Sequence, residues 1–246
     1  MKKRKKIITN IKITRSAIPN LLTLGNAFSG FAAIIFIAQG NFKFAIFYIV
    51  MAAIFDLFDG IVARILRATS ELGAELDSLC DTISFGVAPS FLLYKVYFEQ
   101  LGEIGIVISA IPALAGVYRL ARFNSELNSF NDKLYFKGLP IPAGALTILS
   151  YIYFHLNTNF FAPEVTKTLT IFITILVGVC MVSKIKFDNF PRPTIKNFRA
   201  SPIMFIGVII AIIIGFITMG KSVFPTMLVY IFYSVLKSFV LFFRKI

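Results

Sequence analysis

Apolar runs long enough to cross a bilayer constrain this chain more than any other feature. About 20 apolar residues in helical form span the hydrocarbon core. Eight such runs are expected, at about 19–39, 42–67, 75–98, 103–124, 139–157, 166–185, 201–219 and 223–243. Breaks fall at Gly40-Asn41, between Glu99 and Glu103, between Asn157 and Pro163, and along the basic stretch from Lys184 to Pro202. With 57% hydrophobic and 15% charged residues over 246 positions, the chain reads as a polytopic membrane protein. The expected fold class is all-α: a polytopic membrane helix bundle of about eight transmembrane helices. Residues 1–15 form a basic arm, and 16–246 a single transmembrane domain. The first run is of full spanning length, with no convincing small-residue cleavage site after it, so it reads as retained.

The net charge of +13 reports topology and anionic lipid headgroups rather than nucleic acid. With the N-terminus placed in the cytosol, only Lys43, Lys95, Lys167 and Lys221 of the 25 Lys and Arg fall on the far side. An even number of spans returns the C-terminus to the cytosol, and seven or nine spans would spoil the asymmetry. The expected location is therefore the cell (cytoplasmic) membrane, with both termini inside. Cys80 and Cys180 sit in apolar runs without metal-ligand spacing, and His155 stands alone near a helix end. No Ser-His-Asp or Cys-His set is present to suggest a covalent protein intermediate.

Against this background four carboxylates stand out: Asp56, Asp59, Asp77 and Asp81. On a helix turning about 100° per residue, Asp56, Asp59, Gly60 and Ala63 share one face. Gly73, Asp77 and Asp81 step by four and share a face of the next helix. Acids supply ligands, and Gly and Ala let something bulky approach the backbone. Four acids in a low-dielectric site need positive charge beside them. Oxygen-only ligands suit Mg²⁺ or Mn²⁺, and the absence of His and Cys from the pattern argues against zinc. Asp56 precedes Arg67 by 11 residues, about 16 Å of helix, so the acids meet in the cytoplasmic half of the membrane. A lipid could enter there from the side and a polar substrate from the cytosol. Ionisable residues at such depth are functional by default.

The pattern Asp56-x2-Asp59-Gly60-x2-Ala63-Arg64-x8-Gly73-x3-Asp77-x3-Asp81 resembles the signature of the CDP-alcohol phosphatidyltransferases, with every element at its spacing. Three further stretches, Ser84–Pro89, Arg119–Asn124 and Phe136–Ala143, resemble the membrane-embedded members that use serine as acceptor. The recognisable motifs cover roughly residues 15 to 145. The resemblance implies transfer of the phosphatidyl group of CDP-diacylglycerol to L-serine, giving phosphatidylserine and CMP. It also implies one or two divalent ions, Mg²⁺ or Mn²⁺, and a homodimer. Asp56, Asp59, Asp77 and Asp81 would hold the ions, and Asp81 would also act as general base. Asn20, Thr23, Gly60, Ala63, Arg64, Ser70 and Gly73 would bind CDP-diacylglycerol. Arg119 and Arg122 lie one turn apart at the cytosolic end of the fourth run, and guanidinium is the usual partner of a carboxylate. With Asn124 they are the expected serine site. Glycerol 3-phosphate or an inositol phosphate as acceptor, and a carboxylate-based membrane transporter, are the competing readings. A phosphorylated acceptor would want a denser basic pocket.

Overall fold

The computed structural model describes residues 16–68, 70–127, 135–158, 160, 162–188, 213–215 and 217–243. The expected basic arm, and most of the run at 201–219, lie outside them. Helix α1 covers Ala17–Ala38 and α2 covers Phe42–Ile65. A continuous helical rod follows over Glu71–Leu101. It consists of α3 (Glu71–Asp81), a π-helical segment (Thr82–Val87), α4 (Ala88–Leu93), a second π segment (Tyr94–Phe98) and a 3₁₀ turn (Glu99–Leu101). Then come α5 (Glu103–Leu127), α6 (Ile141–Thr158), α7 (Pro163–Val182) and α8 (Val223–Phe243).

These helices are built for lipid, with the usual polarity of a helix reversed. The buried residues of α1 are Pro19, Thr23, Asn26, Ser29, Gly30, Ala33 and Ile37, at steps of three and four. Its exposed face carries Leu21, Leu24, Phe28, Phe31 and Ile35. Lipid tails are as apolar as Leu, so burying Leu against another helix gains little in a membrane. Small residues that permit close approach, and polar groups that need partners, occupy the helix contacts instead. Gly30 shows how close that approach is. A Cβ there would stand 2.3 Å from Ser84 Oγ and 2.9 Å from Ser84 Cα. This contact locks α1 against the first π segment.

Pro89 accounts for part of the rod's irregularity. It has no N–H to offer the Phe85 carbonyl, and its ring crowds the preceding turn. The chain relaxes by widening to π geometry over Thr82–Val87, directly after Asp81.

Among the described residues, six helices are long and apolar enough to cross a membrane: Ala17–Ala38, Phe42–Ile65, Glu71–Leu101, Glu103–Glu126, Pro163–Val182 and Val223–Val240. The helix at the fifth expected run, α6, is not among them. Thr147, Ser150, His155 and Asn157 dilute its hydropathy. It is also an interior element, with Ile141, Gly144, Ala145 and all of 147–152 buried. A helix surrounded by protein can carry polar groups that lipid would penalise. The Tyr151 hydroxyl, for example, lies 2.6 Å from Thr170 Oγ1 of α7.

An all-α chain is expected to hold no strand, yet Tyr135–Lys137 (β1) pairs antiparallel with Lys186–Asp188 (β2), placing Phe136 opposite Phe187. The cause is tertiary. Helices α5 and α7 pack together, and β1 and β2, which follow them in the chain, lie side by side. Two extended segments then satisfy each other's backbone groups.

Candidate active site

Helices α1, α2 and α3 converge on the acids. Asp56, Asp59 and Asp77 each place a carboxylate oxygen so that all three lie within 4.8 Å of one another. Asp59 is buried, and the other two are half-buried. The donor set is all oxygen, as Mg²⁺ or Mn²⁺ prefers. Asp77 Oδ1 is buried with no hydrogen-bond donor among the described residues. A cation between these three carboxylates would satisfy that oxygen and remove their mutual repulsion, so the residues fit a divalent metal.

Helix α1 supplies the donors. Thr23 Oγ1 lies 2.7 Å from Asp59 Oδ2 and 3.0 Å from the Pro19 carbonyl. Its single proton goes to the carboxylate, the shorter and charge-assisted bond. One turn further on, Asn26 Nδ2 donates to Asp81 Oδ1 at 3.0 Å. Asp81 is buried one turn beyond Asp77 on α3 and stands outside the group of three.

A cleft opens beside the acids. Pro19, Asn20 and Thr23 of α1 form one wall, and Asp59, Gly60 and Ala63 of α2 another. The α2–α3 link and α3 close it with Ala68, Ser70, Gly73, Ala74 and Asp77. Ser70 caps α3 by accepting from the Gly73 N–H at 3.0 Å. A Cβ at Gly60 would meet nothing within 4 Å except the guanidinium tips of Arg64, at 3.9 and 4.0 Å. No protein neighbour demands glycine here, so the open space belongs to whatever enters the cleft. Arg64 itself is exposed, at the mouth.

The three residues expected at the acceptor end are placed differently from one another. Arg119 is 6% exposed and lies close enough to Asp81 for their charges to interact. The Arg122 guanidinium faces the other way. Its Nη1 donates to the Val182 carbonyl at 2.8 Å, and its Nη2 reaches the carbonyls of Lys137 (2.8 Å), Ser183 (3.2 Å) and Met181 (3.3 Å). Asn124 bonds across to α3, donating from Nδ2 to Ser78 Oγ at 3.0 Å. Of the three, Arg119 is the one brought next to the acids.

Asn26 was not singled out by the sequence reading. The sequence carries only part of the signal, an amide inside a membrane helix three residues after Thr23 and on the same face; its burial and its partner come from the structure.

Comparison with known proteins bears on the same residues. The sequence profile of the CDP-alcohol phosphatidyltransferases matches residues 16–236. The chain is 35% identical over 219 residues to a CDP-diacylglycerol–serine O-phosphatidyltransferase of Helicobacter pylori, covering 89% of this chain and 90% of that one. It is 37% identical over 190 residues to the Bacillus subtilis protein of the same name, covering 74% of this chain and 96% of the relative. An archaetidylserine synthase of Methanothermobacter thermautotrophicus is 36% identical over 175 residues, 70% of each chain.

Proposed function

The chain belongs to the CDP-alcohol phosphatidyltransferase family, and on that premise we propose that it transfers the phosphatidyl group of CDP-diacylglycerol to L-serine, releasing CMP. The observation that carries the reaction type is the meeting of three carboxylates from two helices at the side of an open cleft. Support for serine comes from the relatives, whose names specify serine transfer or archaetidylserine synthesis, and from the buried Arg119 guanidinium beside the acids.

Asp56, Asp59 and Asp77 would hold one or two divalent ions, Mg²⁺ or Mn²⁺, with Asp81 one turn further along α3 beside them. A metal bound there would supply charge neutralisation for the pyrophosphate. Gly60 and Ala63 leave room for cytidine, and Arg64 at the mouth pairs with a nucleotide phosphate. Asn20, Thr23, Ser70 and Gly73 line the same cleft and orient the CDP end of the lipid. The serine hydroxyl is a poor nucleophile and must lose its proton during attack. Asp81 takes that proton. A bond forms from the serine oxygen to the lipid-bearing phosphorus, the phosphorus–oxygen bond to CMP breaks, and CMP leaves in line. Arg119 pairs with the serine carboxylate, while Arg122 and Asn124 fix the end of α5 that carries Arg119. The charge asymmetry of the chain supports a site on the cytosolic side, where serine and CMP would exchange freely.

The test is CMP release by the purified protein with CDP-diacylglycerol and either serine or glycerol 3-phosphate. Serine-dependent CMP release, with phosphatidylserine as the lipid product, is expected. Faster release with glycerol 3-phosphate would overturn the acceptor, and no CMP with either would overturn the reaction.

A further inference from the structure

We propose that Asn26 is the positioning residue for Asp81: its side-chain amide fixes the Asp81 carboxylate apart from the three metal-binding acids, so that it meets the acceptor hydroxyl. This rests on the reading of Asp81 as the base.

Four observations combine. First, the Asn26–Asp81 bond is defined in direction. A carboxylate offers only acceptors, so the Asn26 nitrogen faces Asp81 and its oxygen faces away. Second, the amide is held in place. Asn26 is fully buried, and its backbone carbonyl accepts from Ser84 Oγ at 3.0 Å. Ser84 belongs to the π segment that begins directly after Asp81. The two ends of the Asn26–Asp81 bond are therefore tied together a second time, only three residues along the rod. Third, the tie cannot slide, because Gly30 brings α1 against the Ser84 backbone with no room for a methyl group. Fourth, Asn26 Oδ1 is buried with no donor among the described residues. A buried acceptor left unpaired is costly. An apolar residue would fill this place more cheaply if shape were the only requirement, so the donor nitrogen is what the site retains.

The chemistry gives the hold a purpose. Four acids near a divalent site would all be drawn to the cation. An acid coordinated through both oxygens has no lone pair directed at a hydroxyl. Asn26 occupies one Asp81 oxygen and fixes the carboxylate plane, which leaves the other oxygen at a set angle. Displacement by about 1 Å can cost roughly 10²-fold in rate.

The test uses the full chain in detergent, with Asn26→Leu, Asn26→Ala, Asp81→Asn and the double variants. The readouts are kcat for CMP release, serine KM, CDP-lipid affinity, and Mn²⁺ affinity by electron paramagnetic resonance. Each Asn26 variant is expected to lower kcat about 10–100-fold while leaving Mn²⁺ and CDP-lipid affinity within about threefold. Asp81→Asn alone should lower kcat by about 10²–10⁴. A residue that acts only through Asp81 adds nothing once the carboxylate is gone, so each double variant should match Asp81→Asn within about threefold. If Asp81→Asn is slow and the Asn26 change multiplies its defect in full, the positioning role is refuted and the base reading stands. Near-normal kcat in Asp81→Asn sinks the base reading and this proposal with it. Loss of Mn²⁺ binding in step with kcat would make Asn26 a support of the metal site instead, and refute the proposal. Failure of both Asn26 variants to fold, Ala being the gentler in volume, would make it a packing residue and refute it equally.

Discussion

Replacing Arg122 by Ala separates two roles that the sequence leaves joined. In the structure its guanidinium lies across the C-terminal end of α7, over carbonyls that have no partner within the helix. It also holds the Lys137 carbonyl at the end of β1. Hydrogen bonds from a charged donor are worth about 1.5–3 kcal/mol each. Two of the four contacts are short, at 2.8 Å, and the other two share the already occupied Nη2. Water can reach part of this region, so the two short bonds set the scale and the longer pair adds little. A loss of about 2–4 kcal/mol results, partly through the favourable placement of positive charge at a helix C-terminus. For a chain of this length each kcal/mol moves the melting temperature by about 2–4 °C, so Arg122→Ala should melt roughly 5–15 °C lower. Arg122→Lys should recover less than half of that, since an ammonium cannot span four carbonyls. Thermal unfolding in detergent measures both. The serine KM of the Ala variant, taken well below its melting temperature, should stay within about twofold of the parent, because no carboxylate partner has been removed. A variant that melts with the parent but shows a serine KM raised tenfold or more would place Arg122 in the acceptor pocket and refute this account.

Two further outcomes test the cleft. Chelation should abolish CMP release and added Mg²⁺ or Mn²⁺ restore it, with Asp56→Asn, Asp59→Asn and Asp77→Asn each weakening Mn²⁺ binding; full activity after exhaustive dialysis against EDTA would remove the metal from the mechanism. Gly60→Leu should fold normally, because only the tips of Arg64 lie near, and should weaken CDP-lipid binding by about tenfold or more, an overpacking cost of about 1–3 kcal/mol; unchanged affinity in an equilibrium binding assay would show that the nucleotide does not use this space.

The acids were legible because their information is local. Asp56 and Asp59 lie on one helix, Asp77 and Asp81 on the next, and helical periodicity alone puts each pair on a single face. Gly60 and Gly73 could be read the same way, as absences of bulk beside acids. Arg122 could not. Its partners on α7 lie about 60 positions away in the chain, and nothing in Arg119–Asn124 tells which guanidinium turns inward. Asn26 was hidden for a related reason. A polar side chain within an apolar run counts slightly against a membrane span, and its meaning appears only when a partner 55 positions away is known. Hydropathy does not distinguish a helix facing lipid from one enclosed by protein, and α6 is of the second kind. The β1–β2 pairing follows from which helices are neighbours, a fact no local pattern contains.

Site and fold are coupled through α1. Its contact face holds a hydroxyl for Asp59 of α2, an amide for Asp81 of α3, and a glycine that lets Ser84 reach the Asn26 carbonyl. In a soluble protein such a face would compete with apolar packing and lose. In a membrane the comparison changes, because an apolar residue gains little by leaving lipid, while a buried polar pair avoids the cost of an unpaired group in hydrocarbon. The residues that orient the acids are therefore also residues that specify how the first three elements pack. The arrangement carries a cost that α1 alone does not remove. Each donor bond neutralises no charge, so Asp56, Asp59 and Asp77 still repel one another within 4.8 Å. Packing holds them together, and a cation bound between them would relieve the repulsion.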